Sequence, residues 1–234
     1  MDELKQLVSK LESGLSGRLV SVILYGSGAT AEHGKFSDLN VLCVLKEITP
    51  RELSESEPIL RWWKQLGHPS PLLMSEEEVH HSSDSFPIEF HDMKERRRVL
   101  YGPDVIADLH VDRKYHRVQV EHDLRAKLFR LRQQGAAVLS NPEALLKLCV
   151  DSVSTFCVLG RHALIAGGVH AKSDRRAVVH QLRDTIGMDV SAFEILLDIR
   201  EDKSGVDPGD PGELFARYLE CVRRLVEYAD GLEA

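Results

Sequence analysis

Gly26-Ser27 and, after a ten-residue spacer, Asp38-Leu39-Asn40 put glycine, a hydroxyl, a carboxylate and an amide at two nearby points of the chain. Gly26 and Gly28 flank Ser27, and with no Cβ in the way their backbone N–H groups can close on an anion while the serine hydroxyl adds a donor. A helix opening near Ala29 would aim its positive end at the same place. On a strand, alternate residues share a face, so Asp38 and Asn40 project together. A hard cation such as Mg²⁺ takes oxygen ligands from one or two such side chains and completes its shell with substrate phosphates and water. The chemistry these residues indicate is the handling of a phosphate beside a divalent metal.

Strands must hold them. Leu19-Val20-Ser21-Val22-Ile23-Leu24-Tyr25 leads into the glycine turn, and Asn40-Val41-Leu42-Cys43-Val44 follows Asp38; both are apolar, β-branched runs of strand length. A further carboxylate stands in Phe86-Pro87-Ile88-Glu89-Phe90-His91-Asp92, where Phe86, Ile88 and Phe90 alternate with Pro87, Glu89 and His91. The alternation predicts a strand with Glu89 on the face away from the core. Asp92 reads as a helix N-cap.

Gly26-Ser27, the spacer and Asp38-x-Asn40 resemble the signature of the DNA polymerase β-like nucleotidyltransferase superfamily, which includes kanamycin nucleotidyltransferase and poly(A) polymerases. The resemblance covers about the first 100 residues, in which the run from Met93 to Leu100-Tyr101-Gly102 resembles the short helix and exit that close the domain in related chains. It implies an α/β (α+β) mixed sheet with flanking helices, and transfer of a nucleoside monophosphate from a nucleoside triphosphate with Mg²⁺ or Mn²⁺. It casts Asp38 and Glu89 as catalytic carboxylates, Gly26, Ser27 and Gly28 as the phosphate cradle, and Asp38, Asn40 and Glu89 as metal ligands. The family pattern has Asp or Glu where this chain has Asn40, so the metal cluster loses a negative charge and keeps an oxygen.

The other elements fit such a sheet. Leu4, Leu7, Val8, Leu11 and Leu15 recur at helical spacing, with Gly14 and Gly17 near the end of the run. Thr49-Pro50 opens a second helix carrying Leu53, Ile59, Leu60 and Trp63, which Pro58 is expected to interrupt. Pro69 to Met74 reads as a strand, and Ser75-x-x-Glu78 is a capping box. From about Val111 strand signals stop and helical periodicity takes over: Tyr115 to Gln134, Asn141 to Gly168, then runs around Val178–Ile186, Phe193–Ile199 and Leu214–Val226. The expected domains are 1–110, nucleotidyltransferase-like, and 111–234, an all-α helical bundle centred on the helix that Asn141-Pro142 opens.

Composition narrows the partners. A chain of 234 residues with net charge −7 does not suit an extended nucleic-acid groove, whose affinity comes from Lys and Arg on phosphates. The four cysteines form no CxxC pair and lie in apolar runs, which predicts buried free thiols in a reducing cytoplasm. The eleven histidines show no His-x-x-x-His spacing. Arg117-x4-His122 and Arg175-x4-His180 match the loose pattern of HEPN ribonucleases, as chance allows in a chain with this many Arg and His. No 18-residue uncharged stretch and no leader-like start are seen, so a membrane span is not expected.

Two functions stay open. One is a nucleotidyltransferase acting on a small-molecule or protein acceptor. The other is a catalytically silent protein of the same fold that binds a nucleotide or a protein partner, as antitoxin-like relatives do. A homodimer is compatible with either.

Overall fold

The computed structural model describes residues 2–29 and 39–232, and the chain folds as two units, Met1–Asp112 and Arg113–Ala234. In the first unit the elements run α1 (Asp2–Leu15), β1 (Leu19–Tyr25), a 3₁₀ turn at Gly26–Ala29, β2 (Asn40–Leu45), α2 (Pro50–Gln65), β3 (Leu72–Ser75), α3 (Glu76–His81), α4 (Pro87–Glu95) and β4 (Arg97–Tyr101). The strands form one mixed sheet in the order β3-β2-β1-β4, with β1 antiparallel to β2 and β4, and β2 parallel to β3.

β1 and β2 are apolar on both faces because both faces are covered. On one side Val22, Leu24, Val41 and Cys43 pack with Leu4, Leu7, Leu11 and Leu15 of α1 and Trp63 of α2. Burying each of those leucines contributes about 2 kcal/mol. On the other side Ile23, Leu42 and Val44 meet Val79 of α3, Phe90 and Met93 of α4, and Ile106. Ser21, buried between them, donates its hydroxyl to the carbonyls of Tyr101 and Pro103 at 3.1 and 2.7 Å, tying β1 to the exit of β4.

Local start signals act as written. Thr49 with Glu52 and Ser75 with Glu78 form reciprocal capping boxes for α2 and α3. The alternation at 86–92 does not make a strand: Pro87 takes the first position of α4, Phe90 and Met93 pack on the sheet, Pro87 and Ile88 are buried as well, and Asp92 lies within this helix rather than capping one. The strand comes next, at Arg97–Tyr101, where a short helix was expected. Pro58 sits inside α2 without interrupting it; it is on the exposed side, where water reaches the carbonyl that proline leaves without a donor. The buried stripe of α2 is also more polar than its leucines suggest: Glu52, Ser56 and Trp63 are buried and Leu53 is 49% exposed. Ser56 donates to the Glu52 carbonyl at 2.7 Å, and Arg18, in the turn between α1 and β1, pairs with Glu52 and Glu55.

The second unit is helical throughout its described residues: α5 (Arg113–Val138), α6 (Pro142–Ala166), α7 (Arg175–Ile186), α8 (Ser191–Arg200) and α9 (Pro211–Asp230). Asn141 caps α6 and Gly187, at φ 63°, ends α7. α6 packs against α5, α7, α8 and α9, which makes it the centre of the bundle. It is long and apolar enough to cross a membrane by composition, yet Cys149, Val153, Phe156, Leu159 and Ala163 are buried within the protein. In the core the Tyr218 ring packs edge-on to Phe156 and Phe193, and its hydroxyl meets Ser152 Oγ at 2.9 Å. Cys43 in β2, Cys149 and Cys157 in α6, and Cys221 in α9 are all buried free thiols, and burial pushes each up to about 12.

The Thr49 hydroxyl, followed by Arg18, holds the Glu52 carboxyl down to about 2 from an ordinary 4.5. A carboxyl lowered on folding stabilises the fold fully above its unfolded value, and that stabilisation is lost as pH falls through the folded value. Glu52→Gln is therefore expected to flatten the fall in unfolding free energy between pH 4.5 and about 2, read by urea denaturation at stepped pH.

Candidate active site at the end of β1

The site is built where β1 stops. Tyr25, its last residue, pairs with Asn40, the first of β2, and with Arg97, the first of β4. Alternation along the strands puts Tyr25 and Asn40 on the face shared by Ile23, Leu42 and Val44, which α4 covers lower down. The chain leaves β1 through Gly26 at φ 75°, a region in which a side chain is strained and glycine is not. Asn40 turns its amide nitrogen toward this glycine: a Cβ on Gly26 would stand 3.6 Å from Asn40 Nδ2. The glycine turn and the amide are thus brought together.

The Gly26 N–H is committed elsewhere. It donates to the Arg96 carbonyl at 3.0 Å, so it serves the fold, and anion contacts at the turn fall to the groups beyond it. The turn that follows is 3₁₀ over Gly26–Ala29, and Gly28 is buried in it; the helix expected from near Ala29 falls on residues 30–38, outside the described residues. Asp38 lies outside the described residues, as does the side chain of Ser27.

Glu89 reaches the site from a helix. It stands exposed on α4, and its charge acts on Tyr25: burial first, then the Glu89 carboxylate, pushes the phenol above its ordinary range. Tyr25 was missed as a site residue, although its place directly before Gly26 on a strand edge was the signal. Glu89 also borders a cavity of ≈ 380 Å³ between β3, α3 and α4, with Phe90 and Met93 in its wall.

The run Arg96-Arg97-Arg98 reads by sequence as a basic helix end or a triphosphate contact, and the structure distributes it differently. Arg96 is the C-cap of α4 and Arg97 and Arg98 open β4. Arg97 is held by Asp104, Nε to the two carboxylate oxygens at 3.0 and 2.9 Å, and donates to the Lys94 carbonyl as well. Burial alone would raise the Asp104 carboxyl; the Arg97 hydrogen bond and charge, together with the Ile106 and Ala107 N–H groups, outweigh it and hold the group below its usual range. In the helical unit, His122 and His180 of the two Arg-x4-His matches are exposed and meet Asp123 and Glu194. A buried histidine pair, His116 Nε2 to His162 Nδ1 at 2.9 Å, joins α5 to α6 instead.

Among solved structures, spectinomycin adenyltransferase AAD(9) from Enterococcus faecialis, solved with ATP and spectinomycin, matches with a TM-score of 0.61 at 14% sequence identity, over 96% of this chain and 99% of that one. The fold is nucleotidyltransferase-like. No protein-family model and no curated protein matches the sequence. At this identity the nucleotidyltransferase-like fold is what the two chains share, and it extends over both the sheet unit and the helical unit.

Replacing Gly26 tests the turn. Gly26→Ala is expected to cost roughly 1–2 kcal/mol from the positive φ alone, since its Cβ meets only an ordinary contact. Gly26→Asn should cost less, because asparagine tolerates that region. Gly102→Ala should cost more than either, because there the Cβ would stand 1.9 Å from the Val20 carbonyl oxygen. Equilibrium denaturation of the three variants reads the order.

Proposed function

We propose that the chain is a metal-dependent nucleotidyltransferase that moves a nucleoside monophosphate from a nucleoside triphosphate onto a hydroxyl of a small-molecule or protein acceptor. The observation that carries this reading is the meeting of the Gly26 turn with Asn40 at the open end of a nucleotidyltransferase-like sheet, with Glu89 acting on the Tyr25 between them. The spectinomycin adenyltransferase of similar fold was solved with ATP and spectinomycin, a nucleotide and a small molecule, which supports the same pairing of partners here.

Asp38, Asn40 and Glu89 offer oxygen donors only, the set a hard divalent cation takes; Asn40 is at the turn and Glu89 beside Tyr25, which fits such an ion. When bound, the ion supplies charge neutralisation for the triphosphate. Ser27 and the N–H groups beyond Gly26 hold the terminal phosphates. The acceptor oxygen bonds to the α-phosphorus as the bond to the bridging oxygen of the β-phosphate breaks, and pyrophosphate leaves with that electron pair. Glu89, an exposed carboxylate for which no ion pair is seen among the described residues, takes the hydroxyl proton. The half-buried Tyr25 phenol, neutral near pH 7 and raised further by burial and by Glu89, is the proposed donor to a phosphate oxygen.

A second reading has its own support: a silent member of the fold that binds nucleotide without turnover. Asn40 stands where the family carries an acid, and the Gly26 N–H is spent on Arg96. Pyrophosphate release from nucleoside triphosphates with Mg²⁺ or Mn²⁺ separates the two. Active protein should lose at least ~100-fold in rate with Asp38→Ala. Asn40→Asp, which restores one charge, should tighten metal binding about tenfold by titration calorimetry. Metal-dependent nucleotide binding with no pyrophosphate from either the natural chain or Asn40→Asp would establish the silent reading.

A further inference from the structure

We propose that the cavity walled by β3, α3 and α4 binds an organic ammonium ion carrying an apolar body. At ≈ 380 Å³ it has the size of a small-molecule site. Its mouth holds two large apolar side chains that the fold leaves in water, Leu72 at 42% exposure and Phe86 at 53%. Its wall is made by Phe90 and Met93, each 1% exposed. Exposed apolar side chains scattered singly need no explanation, but two converging on one apolar cavity mark a place where something docks.

The charge of the lining says what kind of ligand that is. Among the described residues no Lys, Arg or His lines the cavity, while Glu78 and Glu89 both do. Glu78 commits one oxygen, Oε2, to the Ser75 N–H at 2.7 Å as part of the α3 cap and leaves the other available. Glu89 shows no ion pair among the described residues and remains exposed. An anion would be repelled by two carboxylates in a partly apolar setting, and a neutral apolar molecule would cover them without compensation. A cation gains both their field and the faces of Phe86 and Phe90, since an ammonium over an aromatic ring is attracted by the ring quadrupole. Because Glu89 borders this cavity and also acts on Tyr25, the ammonium would anchor the acceptor beside the reacting end, a role that rests on the nucleotidyl transfer proposed above; the binding itself does not.

The test is calorimetric titration of the full chain with 2-phenylethylammonium and with its neutral counterpart 2-phenylethanol. The expected result is saturable binding of the amine, with the alcohol at least about tenfold weaker. Phe86→Ala and Glu78→Gln should each weaken the amine about fivefold or more. Both variants keep the fold, since Phe86 is exposed and glutamine at 78 still offers an oxygen to the Ser75 N–H, and an unchanged melting temperature verifies this. Equal affinity for amine and alcohol, affinity unchanged in both variants, or no saturable heat would overturn the proposal. A parallel titration with Mg²⁺ and ATP keeps the two ideas apart. Nucleotide binding without amine binding sinks the ammonium site alone, and amine binding without nucleotide binding upholds the site while removing its acceptor role.

Discussion

The hydrogen bond from the Gly26 N–H to the Arg96 carbonyl fixes how the first unit presents its chemistry. It fastens the last turn before the β1–β2 connection to the residue at which α4 becomes β4. Arg96 has left helical geometry, at φ −137° and ψ 94°, while its own N–H still reaches back to the Asp92 carbonyl. One residue thus belongs to a helix through its nitrogen and to a strand through its oxygen. α4 therefore ends level with the end of β1, and α4 is placed by that junction: Phe90 and Met93 go under the sheet, and Glu89, exposed one turn before Met93, acts on Tyr25. The backbone donor that an anion site would have used has gone into positioning a carboxylate.

The same junction explains where the sequence is legible and where it is not. Signals that act within one turn of chain are read correctly, because the partner groups lie three or four residues apart: Thr49 with Glu52, Ser75 with Glu78, Asn141 before Pro142, and Gly187 after α7. At 86–92 two periods fit the same letters. Phe86, Ile88 and Phe90 satisfy a spacing of two, and Phe86, Phe90 and Met93, four and three apart, satisfy a helical face about as well over so short a run. Pro87 decides for helix, as a first-turn proline without a donor to lose. The error carries forward by one element, since the basic run after it then looks like a helix end when it is, among the described residues, an edge strand paired with β1.

In α2 the misreading has a different cause. Hydrophobicity ranks Leu53 above Glu52, yet Glu52 is buried because Thr49, Ser56 and Arg18 between them engage its carboxylate and carbonyl. Such a network is tertiary: Arg18 is far off in sequence, and no window of α2 contains it. At the candidate site the glycine turn and Asn40 are legible for the opposite reason, that a hairpin register brings the end of one strand to the start of the next whatever the rest of the chain does. Glu89 is legible as a carboxylate near the site and not as a helical one, because its approach depends on the Arg96 junction.

The burial of all four thiols has a practical side. Only a thiolate attacks an electrophile, and groups raised to about 12 inside apolar surroundings supply almost none near neutral pH. The natural chain is thus a blank background for maleimide chemistry. A cysteine introduced at an exposed loop position such as Ser204 becomes the one reactive handle, and dyes or spin labels can be attached without first stripping the core of its own sulfur.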